Sequence, residues 1–202
     1  MIRTAIVGLI ALAGALGLAS ATTTAPAENH AAVAATAFTV DPVHSTSVFR
    51  IKHMNVAYFY GRFDKFGGTI NFDESNPSAS SAEIEVDTAS VNSNNGKRDG
   101  HIKSKDFFNA AEFPTASFKS TSWKPAGENT FDVAGDLTLH GVTKPITVKF
   151  EKTGTGKSRS GGALVGFETT FTIKRSDYGI SFMPEGLSDE VRLTFSIEAG
   201  ST

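Results

Sequence analysis

The chain has 202 residues, 19 Lys and Arg against 21 Asp and Glu, a formal charge of −2 and no cysteine. That balance leaves no basic field to draw nucleic acid or an anionic lipid surface. The missing thiols exclude thiolate catalysis, Fe–S clusters and cysteine zinc sites. Sixteen Phe against 3 Tyr and 1 Trp favour a large, dry, aromatic interior, because Phe brings apolar area without a polar handle.

The first 21 residues read as a secretory signal peptide. Met1-Ile2-Arg3 is a basic start, Ala5 to Leu18 is unbroken apolar sequence, and Ala19-Ser20-Ala21 fits an A-x-A cleavage site. The run is too short for a transmembrane span. No Cys stands at the cleavage point, which excludes a lipoprotein anchor. Cleavage before Thr22 removes Arg3 and takes the charge from −2 to −3. Residues 22–37, rich in Ala and Thr and including His30, read as a flexible linker. Residues 38–199 are then one domain of an exported protein, periplasmic in location and held by its core without disulfides.

Phe38-Thr39-Val40 is extended and is broken by Asp41-Pro42. From Thr46 to Met54 a strand puts Phe49, Ile51 and His53 on one face. Val56 to Tyr60 is an aromatic connection. From Gly61 to Phe72, Phe66, Gly68, Ile70 and Phe72 share a face, and Gly67-Gly68 suggests a bulge or bend. Asn76-Pro77 centres a turn. Ser81 to Asp87 alternates Ala82, Ile84 and Val86 against Glu83, Glu85 and Asp87. Lys97 to Asn109 does not alternate and is the helical candidate, with Ile102, Phe107 and Phe108 roughly on one side; Gly100 and its short length make it depend on packing.

Ala116 to Trp123 is a further strand, followed by a turn over Pro125 to Asn129. The hairpin from Phe131 to Phe150 is the clearest in the chain. Phe131, Val133, Gly135, Leu137 and Leu139 fall inward, then Ile146, Val148 and Phe150 on the return. Thr153 to Gly162 is a solvated loop. Ala163 to Lys174 places Val165, Phe167, Phe171 and Ile173 on one face, Arg175 to Gly186 is a non-alternating connection, and Val191, Leu193, Phe195 and Ile197 face inward in the last strand. About eight strands with short turns make this an all-β protein. Each long strand has one apolar face and the Cys–Trp–Cys core of an immunoglobulin domain is absent, which favours an eight-stranded antiparallel barrel with one or two short helices over a sandwich. Closure removes exposed edges and leaves room inside for side chains or one ligand.

Five blocks carry a family likeness. They are Asp41-Pro42-Val43-His44-Ser45 with Phe49 and His53; Gly61-Arg62-Phe63 with Phe66-Gly67-Gly68; Arg98 to Ser104 running into Asp106-Phe107-Phe108; Gly135 to Pro145; and Lys174 to Ile180. In this order they resemble the YceI-like lipid/polyprenyl-binding proteins, a bacterial exported family, over Phe38 to Ala199. The resemblance implies a lipocalin-like barrel with a long hydrophobic pore. It implies a bound polyisoprenoid, such as a polyprenyl phosphate or a quinone-type isoprenoid, or another amphiphile, held for sequestration, storage or transfer. No covalent cofactor or catalysis is implied, and the membrane enters only as source or acceptor of the ligand. The oligomeric state is open, a homodimer included.

For such a ligand the candidate tail-lining residues are Phe49, Ile51, Phe66, Ile70, Phe72, Phe118, Leu137, Leu139, Phe167, Phe171 and Phe195, each of which could equally be ordinary packed core. The head-group candidates are Arg98, His101, His44 and Lys103, with His140 a weaker one: Arg offers a planar fork to phosphate and His a donor. Alternatively Arg98 pairs with Asp99 to fix the helix, and His140 satisfies a buried backbone group. A metal site built from His44, His53, His101 and His140 is the rival chemistry, though none stands at ligand spacing from another. Ser45 beside His44 makes no nucleophile–base pair, because neighbours on a strand face opposite ways. There is no nucleophile elbow and no phosphate-cradling loop. A fully packed structural barrel is the third reading.

Overall fold

The computed structural model of the chain describes residues 35–201 together with Met1. The signal-peptide reading and nearly all of the linker reading lie outside those residues. The strands are β1 (Thr36–Val40), β2 (Thr46–His53), β3 (Ala57–Phe63), β4 (Phe66–Phe72), β5 (Ser81–Asp87) and the two-residue β6 (Val91–Asn92). Helix α1 (Gly96–Ile102) follows, then β7 (Thr115–Gly127), β8 (Thr130–Leu139), β9 (Val142–Lys157), β10 (Ala163–Lys174) and β11 (Leu187–Ser201). Eight of them close an antiparallel ring in the order β1-β4-β5-β7-β8-β9-β10-β11, with β1 pairing both β4 and β11. The all-β antiparallel barrel is therefore present.

The ring is uneven. Past Val40 the chain breaks over Asp41 to Ser45, and β2 takes the place of β1 beside β11. β2 then pairs with β3, whose other edge meets only β6, through Arg62↔Asn92 and Phe63↔Val91. A seam is left between β3 and β7 that no strand ladder fills. Helix α1 and the turns after it supply that wall: Ile102 and Phe108 pack on the core, and the Phe108 ring meets Phe63 edge-on at 5.5 Å.

Alternation explains most of the strands. In β8, Phe131, Val133, Gly135, Leu137 and Leu139 are buried while the residues between them are not. The β8–β9 hairpin closes on His140 and Gly141, both with positive φ (51° and 74°), as a two-residue hairpin turn requires. A Cβ on Gly141 would fall 2.6 Å from the Phe113 ring, so glycine is demanded twice over.

Several local expectations are revised. Val56 to Tyr60 is not a connection: Ala57 onward is strand β3, whose alternation is masked because four of its seven residues are exposed at the sheet's rim. Gly67-Gly68 makes no bulge. The β4–β5 register runs unbroken, and Gly68 (φ 144°) instead lets β5 come close, since a Cβ there would sit 2.0 Å from the Glu83 carbonyl oxygen. The helix ends at Ile102 and not at Asn109. Ser104 and Asp106 turn to local partners, with the Asp106 amide donating to Ser104 Oγ, and the chain proceeds through hydrogen-bonded turns. β7 runs on through Pro125 to Gly127, with a register shift that accommodates the proline. β9 continues to Lys157, which shortens the following loop. β1 begins at Thr36, so the last two residues assigned to the linker are strand, opposite Phe72 and Asn71.

Candidate functional site

The barrel interior divides along its axis. At the end where β1 closes the ring it is solid. Trp123 (1% exposed) is surrounded by Phe72, Phe131, Phe150 and Phe167, with ring centroids 5.3–6.1 Å apart. The Trp123 indole N–H donates to Ser120 Oγ, so the one polar atom of that cluster is satisfied. At the other end lies a cavity of about 520 Å³, within the range of small-molecule sites. Phe150, Phe195 and Ile197 form its floor against the packed half. Its walls are inward residues of β2, β5, β7, β8, β9, β10 and β11, and its seam side is Phe59, Phe63, Ile102, Phe107 and Phe108.

Of the tail-lining candidates, Phe49, Ile51, Phe118, Leu137, Leu139, Phe171 and Phe195 line this cavity. Phe66, Ile70, Phe72 and Phe167 do not; they belong to the packed core. They share the inward face but stand at the wrong height along the axis. Phe66 stands behind the site, its ring edge-on to Phe195 at 5.7 Å and its backbone opposite Val86. The Phe171 and Phe195 rings are stacked nearly parallel, 6.3 Å apart, and give the cavity a flat aromatic wall across β10 and β11.

Arg98 and His101 of α1 reach the cavity; His44 and Lys103 do not. Asn95 caps the helix, its side-chain oxygen accepting from the Arg98 amide. The Arg98 guanidinium lies 4.2 Å over the Phe59 ring and donates from Nε to Ser93 Oγ and from Nη2 to the Ser93 carbonyl. Asp99 does not pair with Arg98 by contact. It accepts from the Ser93 hydroxyl and amide, which hold its carboxyl below the ordinary carboxylate range. Both residues therefore fasten α1 to the same serine. His101 Nε2 meets Asp106 at 2.7 Å, and its ring stands edge-on to Phe107 and Phe182.

His44 sits on the outer wall where β1 gives way to β2. Its Nδ1 is 2.8 Å from Asp41 and 3.8 Å from Glu198. Lys103 caps the C-terminal end of α1. His140 Nδ1–H donates to the Tyr178 carbonyl and its ring packs on Phe113, a backbone-satisfying role. His53 and His101 both line the cavity, whereas His44 and His140 lie apart from it, so the four histidines do not come together in one site. Among the described residues the one trio of imidazole and carboxylate ligand atoms within 4.8 Å is Asp41, His44 and Glu198, away from the cavity. Residues 44 and 45 lie in a turn, not on a strand as expected. What separates them is that the Ser45 hydroxyl is bonded to the Glu198 backbone while His44 turns to Asp41.

Sequence reasoning missed Arg175. It is 5% exposed and lines the cavity from the end of β10. Nε donates to the Ser188 carbonyl, Nη1 to those of Ile180 and Phe182, and Nη2 to that of Leu187. Burial draws its pKa down from the ordinary arginine value. The residue sits in a non-alternating stretch, where period offers no signal. Phe182 and Met183, held on the loop that it binds, were missed for the same reason. Ile102, Phe107 and Phe108 had a signal, their common side of the short helical segment. Thr169 (5% exposed) also lines the cavity, and its Oγ1 has no hydrogen-bond partner.

A family model described as a YceI-like domain matches residues 38–199. A UPF0312 protein of Pseudomonas paraeruginosa is 44% identical over 155 residues, 77% of this chain and 81% of that protein. Protein YceI of Escherichia coli is 43% identical over the same shares. Among solved structures, BcnA of Burkholderia cenocepacia superposes with a TM-score of 0.73 at 27% identity, over 79% of this chain and 98% of that one. A polyisoprenoid binding domain from Saccharophagus degradans does so at 0.66 and 19% identity, over 83% and 99%, a likeness of fold.

Proposed function

The chain belongs to the YceI-like family, and from that premise we propose that it is an exported, periplasmic carrier that holds the tail of one polyisoprenoid, a polyprenyl phosphate or an isoprenoid quinone, in the open half of its barrel. The observation that carries this reading is the cavity of about 520 Å³, walled by phenyl and aliphatic groups, with Arg98 and His101 set among its lining. Each buried CH₂ contributes about 0.8 kcal/mol, so a tail of a few isoprene units gains enough to remain bound despite the cost of ordering it. The smooth aromatic wall of Phe171 and Phe195 suits a branched, unsaturated chain and makes no demand on its register. Sequestration and transfer involve no covalent step, and Arg175 is spent on carbonyl groups. The polyisoprenoid binding domain that shares this fold supports the ligand class.

Organic extraction of the protein purified from its own cell envelope, followed by mass spectrometry, tests the proposal. A single isoprenoid species in near-stoichiometric amount is the expected result. An extract without isoprenoids refutes it.

A further inference from the structure

Exposed large apolar side chains are concentrated around the cavity opening. Beyond Met1, Val43 and Tyr60, those among the described residues are Met54, Val56, Tyr58, Phe182 and Met183. All five stand on two segments, 54–58 and 182–183, that frame the cavity opening, and three of them also line it. Val56 at the tip is 84% exposed. The segments are tied together: the Met54 amide donates to the Gly186 carbonyl at 2.6 Å, and the Leu187 backbone pairs with His53. Met54, Asn55 and Met183 take positive φ (50°, 55° and 53°), a conformation large side chains rarely adopt. The Met54 and Met183 side chains both lie over Gly186, yet they stay 52% and 39% exposed.

Charge adds a second, independent feature. The whole chain is at −2, but residues 97–106 beside the opening carry Lys97, Arg98, Lys103 and Lys105 against Asp99 and Asp106, a local net of +2. Both acids are already engaged, by Ser93 and by His101. The overall balance therefore hides a basic rim next to an apolar tip, a combination suited to a bilayer interface with anionic head groups.

We infer that the cavity mouth is a membrane-docking surface: the 54–58 and 182–183 tips enter the interface of an anionic bilayer, the α1 rim rests on its head groups, and the cavity opens directly onto the acyl region. This rests on the carrier reading and adds where the cargo crosses. A tail moving along this path stays out of water throughout. A second copy of the chain is a poorer occupant, because mouth-to-mouth pairing would set two basic rims against each other.

The test is flotation of the purified full-length protein with vesicles of phosphatidylcholine plus phosphatidylglycerol and with vesicles of phosphatidylcholine alone, at low and high salt. We expect binding to the anionic vesicles that weakens with salt, and about tenfold weaker partition for Val56→Asp combined with Met54→Ser. Neither residue lines the cavity, so the lipid recovered from that variant should match wild type. Vesicle binding that the double variant leaves intact overturns the inference. So does a lipid-loaded protein that floats with neither vesicle. A dimer in analytical ultracentrifugation that Val56→Asp dissolves would reassign the mouth as an interface between copies. Failure to recover any isoprenoid from wild type sinks the carrier reading separately, whatever flotation shows.

Discussion

The Arg175 guanidinium donates to the carbonyl of Phe182 at 2.8 Å, and the same nitrogen also reaches the Ile180 carbonyl. One buried cation at the end of β10 thereby fixes the loop that carries Phe182 and Met183 to the cavity opening. It has no carboxylate in contact among the described residues; the carbonyls of Ile180, Phe182, Leu187 and Ser188 balance it. Replacing it by Leu strands those acceptors and should cost about 3 kcal/mol. Arg175→Lys should rescue little, because a point charge cannot span four carbonyls in different directions. Urea denaturation checks both. A loss under about 1 kcal/mol for Leu would show that the loop has other supports.

Arg98 tests the head-group assignment. Arg98→Ala should weaken a short-chain prenyl phosphate about tenfold and a neutral quinone analogue hardly at all. Arg98 also holds Ser93, so Ser93→Ala is the control: it loosens the helix and keeps the charge. Titration with both ligands separates the two effects. Equal losses for phosphate and quinone would remove Arg98 from head-group recognition.

Thr169 offers a stability test. Its hydroxyl is buried beside the cavity without a partner, and Val keeps the shape while removing the polar atom. Thr169→Val should raise unfolding free energy by ~1 kcal/mol in lipid-free protein. A destabilised variant would mean that the hydroxyl is bonded in solution.

The Asp41–His44 contact predicts a pH dependence. Its hydrogen bond holds Asp41 below its ordinary 3.8 and raises His44 above its ordinary 6.5. The raised histidine stabilises fully below 6.5, and that contribution is lost as pH rises through its folded value. The depressed aspartate stabilises above 3.8 and loses its contribution as pH falls through its folded value. Wild type should therefore melt above His44→Ala between pH 3.8 and 6.5, with the gap closing on either side. Both groups are exposed, so the gap should be small and shrink with salt. A gap that grows above pH 7 would contradict the pairing.

The strands were legible because one face of each is dry. The inward sets of β4, β5, β8, β10 and β11 follow from alternation alone. Depth was not legible. Phe72 and Phe171 look alike in sequence, yet one packs on Trp123 and the other borders open space. Period two reports the side of a sheet, whereas height along the barrel depends on how eight strands are staggered. The opening was hidden for another reason. Phe182, Met183 and Arg175 sit where backbone groups bond to side chains, and such segments have no period. His44 and Lys103 were grouped with Arg98 by residue type, but the break between β1 and β2 carries His44 to the outer wall.

Everything proposed for this protein requires an isoprenoid tail in the half of the barrel beyond Trp123. Native mass spectrometry of wild type and of Leu137→Trp, which fills that space while leaving the packed half untouched, addresses it most directly. One isoprenoid per wild-type chain and none on the folded variant is the expected result. Equal lipid on both proteins, or none on wild type, would contradict it.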